Sequence, residues 1–83
     1  MVFCMELKEI IQNALDNKCV VTKDRHNYYN IICEFVHINN IVFDCNNAIV
    51  IKEIDNIIYF GTFWIQKENI KSIYFNGSGY KIL

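Results

Sequence analysis

Residues 57–65 restrict the fold of this chain more than any other segment. They read Ile-Ile-Tyr-Phe-Gly-Thr-Phe-Trp-Ile, and the β-branched and aromatic side chains predict a β-strand. Apolar residues occupy both the odd and the even positions, whereas a strand with one face in water alternates apolar and polar residues. We therefore expect both faces of this strand to be covered, by the rest of the fold or by a second copy of the chain.

Length and composition predict one small domain that spans residues 1–83. The chain is short for a self-sufficient core, but 53% of its residues are hydrophobic. No uninterrupted apolar run approaches the roughly 18 residues of a membrane span, and the N-terminus lacks the features of a signal peptide. We therefore expect a cytoplasmic protein without membrane contact, whose four cysteines are reduced and buried rather than paired in disulfides.

The N-terminal part has the pattern of an amphipathic helix over residues 5–18. Its apolar residues recur with the spacing of one helical face, at Leu7, Ile10, Ile11, Ala14 and Leu15. Acidic side chains lie in the first turns and Lys18 lies at the end, which suits the helix dipole. This helix is expected to cover one face or one open end of a sheet.

The remainder of the chain predicts strands separated by short turns. The pairs Asn39-Asn40, Asn46-Asn47 and Asp55-Asn56 interrupt successive apolar runs, and both residue types tolerate the positive φ of two-residue hairpin turns. The predicted strands are residues 19–23, 28–38, 41–45, 48–54, 57–65 and 70–75. The expected fold is mainly β (α+β): an N-terminal helix followed by a five- to six-strand antiparallel meander that forms a small barrel or curved sheet. Unprotected sheet edges and the two-faced strand predict a homo-oligomer.

Residues 64–74 read Trp-Ile-Gln-Lys-Glu-Asn-Ile-Lys-Ser-Ile-Tyr, a strand, a one-turn break and an Ile-x-x-Ile strand. This ending, together with the N-terminal helix and the meander, resembles the Sm-like small β-barrel, and other SH3-like barrels share the layout. The resemblance implies a ring-forming protein that binds single-stranded RNA at loops between strands. The loop signatures of the Sm-like family are not matched, so the resemblance implies no particular binding residues.

One polar cluster is a candidate binding site. Residues 23–29 contain the only Arg of the chain, one of two His and two adjacent Tyr. Arg binds phosphate in a bidentate manner and Tyr can stack on a base, so a ligand that carries both would suit this loop. The candidate ligand-binding residues are Lys23, Arg25, His26, Tyr28 and Tyr29. The alternative is a polar hairpin loop with one Tyr turned into the core.

Catalytic and metal sites are not expected. Cys33 and His37 share a strand face but are about 13 Å apart along an extended strand, too far for a nucleophile–base pair. A metal would need scattered ligands from Cys33, Cys45, His37 and Asp44, without the closely spaced pairs of zinc sites. We therefore expect no enzyme, no cofactor and no metal.

Two functions from different classes remain. The first is a non-enzymatic, homo-oligomeric small-barrel protein that binds a nucleotide or short RNA through residues 23–29. A net charge of −1 argues against a protein that coats duplex DNA but not against a local basic patch. The alternative is a protein–protein interaction module, a small regulator or inhibitor of the kind that a phage encodes, which docks an apolar edge or aromatic patch on a host protein.

Overall fold

The computed structural model describes residues 5–45 and 48–77. Over these residues, one helix precedes eight strands, and a short 3₁₀ helix lies before the last strand. The elements are α1 (Leu7–Asp16), β1 (Val20–Lys23), β2 (Tyr29–Ile32), β3 (Phe35–Ile38), β4 (Ile41–Asp44), β5 (Ile49–Ile54), β6 (Ile57–Phe60), β7 (Phe63–Gln66), the 3₁₀ helix Lys67–Asn69, and β8 (Ile73–Asn76).

The strands form two antiparallel sheets. The first has the order β1-β2-β5-β6-β7 and the second has the order β4-β3-β8. The predicted fold class, a mainly β domain with an N-terminal helix and antiparallel strands, is confirmed. Over the described residues the strand pairing forms two separate sheets rather than one closed barrel.

The predicted strand 28–38 is wrong as a single strand. It divides into β2 and β3, which belong to different sheets, with the break at Cys33 and Glu34. β2 pairs with β5, while β3 pairs with β4 across the Asn39-Asn40 turn. Both turn residues have positive φ, 51° and 70°, as a type I′ hairpin turn requires. The chain changes sheets without a Gly or Pro at the break, so no strong sequence signal marks it.

The predicted strand 57–65 is also wrong, because the segment is a tight hairpin. β6 and β7 pair with Phe60 opposite Phe63, and Gly61 and Thr62 form the turn between them. Gly61 has a φ of 64°, and glycine is favoured at the first central position of a type II′ turn. The apolar residues at odd and even positions therefore come from two strands, each with its own core-facing side, rather than from one strand with two covered faces.

The other predicted bounds differ from the observed ones by at most three residues. The helix predicted over 5–18 is Leu7–Asp16, and the last strand begins at Ile73 rather than at residue 70 because the one-turn break extends further. Strands 19–23, 41–45 and 48–54 correspond to β1, β4 and β5. The turn predicted at residues 46–47 lies outside the described residues.

The core lies between the helix and the inner faces of the two sheets. Ile10 and Ala14 of α1 are fully buried, as are Ile51 of β5, Ile58 of β6 and Phe75 of β8. Cys19, Cys33 and Cys45 are buried in this cluster as free thiols, as predicted for them, and Cys4 lies outside the described residues. No helix in the described part of the chain is both long enough and apolar enough to cross a membrane.

Candidate ligand-binding surface

The loop between β1 and β2 is shaped by one carboxylate. Asp24 Oδ1 accepts hydrogen bonds from the backbone N–H groups of His26, at 2.8 Å, and of Tyr28, at 3.0 Å. Asn27 has a φ of 64°, and its N–H donates to the Asp24 carbonyl oxygen. The local sequence Asp-x-x-Asn therefore fixes a compact turn, because a short side chain replaces backbone hydrogen-bond partners. Arg25 lies on the exposed part of this turn.

Four of the five candidate residues of this loop form two side-chain pairs, Lys23 with Tyr29 and His26 with Tyr28. The Lys23 ammonium lies 5.3 Å from the ring centroid of Tyr29, and Tyr29 packs against the core. The rings of His26 and Tyr28 are 6.1 Å apart. The alternative foreseen for this loop, with one Tyr turned into the core, therefore describes Tyr29 but not Tyr28.

Tyr28 belongs to a row of side chains that crosses the outer face of the five-stranded sheet. The Lys52 ammonium lies 5.2 Å from the Tyr28 ring centroid and 5.3 Å from that of Tyr59. Lys52 and Tyr59 are direct cross-strand partners, and Tyr59 is the direct partner of Trp64. We call Tyr28, Lys52, Tyr59 and Trp64 the aromatic row. Its continuity arises because direct partners on neighbouring antiparallel strands point to the same side of a sheet.

The aromatic row is partly exposed and has one ammonium group within it. Trp64 is 57% exposed. Within the described residues, the Lys52 ammonium contacts the two rings and no carboxylate. Arg25 lies on the exposed turn at the Tyr28 end, next to the Asp24 carboxylate that shapes the turn, whereas Lys23 is the direct partner of Tyr29 and lies on the other side of the sheet. The cationic groups on or beside the row are therefore Lys52 and Arg25.

Sequence reasoning missed three members of the row, Lys52, Tyr59 and Trp64. The Asp55-Asn56 turn was predicted, and a two-residue hairpin turn at these positions places Lys52 opposite Tyr59. The Gly61-Thr62 turn was not foreseen, and it is the turn that pairs Tyr59 with Trp64.

Apolar side chains flank the aromatic row on the same sheet face. Val50 and Ile54 lie two positions to either side of Lys52 on β5 and are 44% and 45% exposed. Val20, on β1, is also exposed. This face therefore combines stacking rings, one ammonium and uncovered aliphatic groups.

The residues considered for catalysis and metal binding do not form a catalytic pair or a metal site. His37 lies between Phe35 and Tyr74, with ring centroids 5.6 Å and 5.9 Å away. Cys33 is fully buried, and the neighbouring Cys45 together with this burial raises the pKa of its thiol. Over residues 5–45 and 48–77, no group of three or more His, Cys, Asp or Glu side chains is arranged to hold a metal ion.

Apart from the aromatic row, the structure has a cavity of about 400 Å³. The cavity lies between the end of β4, the start of β5 and the β6–β7 turn. It is lined by Phe43, Asp44, Cys45, Ala48, Ile49, Val50, Phe60, Gly61, Thr62 and Phe63.

No protein-family model matches the chain, and neither a curated protein nor a solved structure matches it.

Proposed function

We propose that this protein is a non-enzymatic module that binds a nucleotide or short single-stranded RNA. Bases stack on the aromatic row, and phosphates contact Arg25 of the 23–29 loop. The observation that carries the proposal is the uninterrupted row of Tyr28, Lys52, Tyr59 and Trp64 on a solvent-facing sheet. Exposed rings beside basic groups are the usual means of holding single-stranded nucleic acid, because every base has a face that can stack.

The charge distribution favours a short, weakly held ligand. Arg25 and Lys52 are the basic groups beside and within the row. Each phosphate neutralised on a single strand contributes a slope of about −0.7 in log K against log salt. Two contacts therefore predict a slope of about −1.4, which is shallow for a nucleic-acid-binding protein. Stacking, at about 1–3 kcal/mol per base, supplies the larger share of the affinity.

We further propose that the fold is of the Sm-like or SH3-like type and that the protein acts in the cytoplasm. Support for the fold comes from the N-terminal helix, the two antiparallel sheets and the 3₁₀ helix before the last strand. Support for the compartment comes from three buried cysteines that are unpaired, as is usual where thiols are kept reduced.

The test is the binding of labelled oligonucleotides, followed by fluorescence anisotropy. Single-stranded RNA of about 12 nucleotides should bind, and duplex DNA of the same length should bind less tightly. Arg25→Ala and Lys52→Met should each weaken binding about fivefold, the equivalent of about 1 kcal/mol. Lys8→Met is the matched control, because Lys8 is exposed on α1, away from the row. Equal affinity in all four proteins would contradict the proposal.

The alternative function, docking on a protein, is favoured by a separate observation. Val50 and Ile54 leave aliphatic surface uncovered beside the row, and such surface commonly meets a partner, which here includes a second copy of the chain. Light scattering gives the solution mass, and Ile54→Lys separates the two functions. This change should dissociate a complex that buries Ile54, whereas it adds a positive charge beside the row and should not weaken RNA binding.

A further inference from the structure

β4 is an edge strand of the three-stranded sheet. It lies at the end of the order β4-β3-β8, and its residues Ile41 and Val42 are each 57% exposed. β6 pairs with β5 only as far as Gly61, whose N–H donates to the Val50 carbonyl oxygen at 2.8 Å, and the chain then turns back into β7. Among the residues that the structure describes, no strand therefore pairs with the outer side of β4.

The hydrogen-bond register of β3 and β4 determines which backbone groups point to this edge. The N–H of Cys45 donates to the carbonyl oxygen of Glu34 at 3.1 Å, and hydrogen-bonded pairs alternate with non-hydrogen-bonded pairs along an antiparallel ladder. Val42, the direct partner of His37, is by this count in a non-hydrogen-bonded pair. The N–H and C=O groups of Val42 therefore point away from β3, where they can template pairing with another strand.

The opposite edge of the same sheet, at β8, is protected. The N–H of Phe75 points away from β3 and donates to the side-chain oxygen of Asn13 at 3.1 Å, because α1 packs beside β8. Within the described residues no side chain caps the backbone of Val42 in this way. β4 also lacks the Lys and Pro residues that commonly prevent pairing at an edge. The fold thus closes one edge of this sheet and leaves the other available.

We propose that β4 pairs antiparallel with β4 of a second copy of this chain, about a two-fold axis at Val42. The Val42 N–H of each copy donates to the Val42 carbonyl oxygen of the other, so one residue supplies both halves of a self-complementary contact. The two three-stranded sheets then join into one sheet of six strands. On its outer face, Val42 of one copy lies beside Val42 of the other, and His37 and Tyr74, as successive direct partners, continue the row on each side.

The side chains of β4 suit pairing with a copy of the same strand. Asp44 is the only charged residue of β4, and an axis at Val42 places it opposite Asn40 of the second copy rather than opposite its own counterpart. No like charges therefore face each other across the pair. At the axis, Val42 meets Val42, and β-branched side chains favour paired strands.

The proposed contact is small and separate from the aromatic row. The row belongs to the five-stranded sheet, whereas β4 belongs to the other sheet. One short strand contributes less than the roughly 800 Å² per partner that a stable complex buries, so we expect a weak dimer that is half dissociated on the order of 100 µM. Because the two-fold pairing occupies the β4 edge of both copies, assembly through this edge stops at two chains.

The experiment is sedimentation of the full chain over a range of concentrations, combined with backbone hydrogen exchange measured by NMR. The mass should rise from one chain towards two as the concentration increases. Val42→Lys should weaken this association at least about tenfold, because a lysine at an edge opposes pairing. Val50→Lys is the matched control, because Val50 is 44% exposed but lies on β5, between β2 and β6. In the wild type, exchange of the Val42 N–H should slow as the concentration rises, whereas the Trp64 N–H on β7, the edge strand of the other sheet, should not respond.

Four results would overturn the proposal. They are a mass of one chain at every concentration, a mass above two chains, dissociation by Val50→Lys but not by Val42→Lys, and a Val42 N–H that is already protected in the most dilute sample. The last of these would mean that the chain covers this edge itself. Circular dichroism establishes that each variant is folded, and the hydrogen-exchange measurement needs no variant. Oligonucleotide binding is not involved, so the outcome is independent of the function proposed for the aromatic row.

Discussion

The side-chain oxygen of Asn39 accepts a 2.6 Å hydrogen bond from the backbone N–H of Lys71, which joins the β3–β4 turn to the segment before β8. The same oxygen accepts from the N–H of Ser72, and the Asn39 amide donates to the carbonyl oxygen of Asn69 at 2.7 Å. One side chain thus satisfies three backbone groups, one at the end of the 3₁₀ helix and two in the segment between that helix and β8. It holds β8 in register with β3.

We predict that Asn39→Ala lowers the free energy of unfolding by about 2 kcal/mol. The variant loses the side-chain hydrogen bonds, and alanine tolerates the positive φ of this position less well than asparagine does. Asn40→Ala is the matched control, because Asn40 shares the positive φ but not these hydrogen bonds. It should cost about 1 kcal/mol from the backbone alone. Urea denaturation of both variants measures the difference, and equal losses would show that the Asn39 side chain contributes nothing.

Gly61→Ala distinguishes a hairpin from a continuous strand. In the hairpin, Gly61 has a φ of 64°, so alanine should destabilise the fold by about 1 kcal/mol. The added methyl group itself fits, because its nearest neighbour is Ile49 Cγ1 at 3.8 Å. Within a continuous strand, the same change would be neutral or stabilising. Thermal unfolding of Gly61→Ala, compared with the neighbouring change Thr62→Ala, decides between the two.

Lys67 connects three elements through its ammonium group. Nζ lies 3.0 Å from Glu53 Oε2 on β5 and 3.2 Å from Glu6 Oε2 at the start of α1. Hydrogen bonds to Glu53 and, second, to Glu6 raise the pKa of Lys67 above its ordinary 10.5. A raised folded-state pKa means that the charged form is favoured in the folded protein, so the contribution is full below 10.5 and is lost as pH rises through the folded-state pKa.

We predict that Lys67→Met lowers the free energy of unfolding by about 1 kcal/mol at neutral pH. The difference from wild type should shrink as the pH rises above 10.5. Denaturation curves of both proteins at matched pH values measure this, because other titrating groups cancel in the comparison. A difference that stays constant through the alkaline range would show that packing of the lysine stem, rather than its charge, is responsible.

The sequence predicts those parts of the fold that depend on local signals. The helical spacing predicts α1, and the positive φ of Asn39, Asn40 and Asp55 agrees with turns foreseen from residue type. The Gly61 turn was missed because it lies inside one apolar run, where a glycine also fits an irregular strand. The change of sheets after Ile32 was missed because only long-range packing determines it.

The same distinction explains the candidate site. The loop residues 23–29 are contiguous, so their polar and aromatic character is visible in the sequence. The approach of Tyr28 to Lys52 depends on the pairing of β2 with β5, which follows from the arrangement of two sheets and not from any local pattern. The row could therefore be identified only once strand register was known.

Trp64 allows the central claim to be measured without a label. It is the only tryptophan of the chain, and it lies exposed at one end of the aromatic row. Titration with single-stranded RNA of about 12 nucleotides should quench its fluorescence in a saturable manner, because a base stacks on the indole. Tyr59→Ala should shift the midpoint to higher RNA concentration, by about 1 kcal/mol or more in binding free energy, whereas Lys8→Met should leave it unchanged. Fluorescence that does not respond to RNA, or a midpoint that is the same in Tyr59→Ala, would contradict the proposal that this face binds nucleic acid.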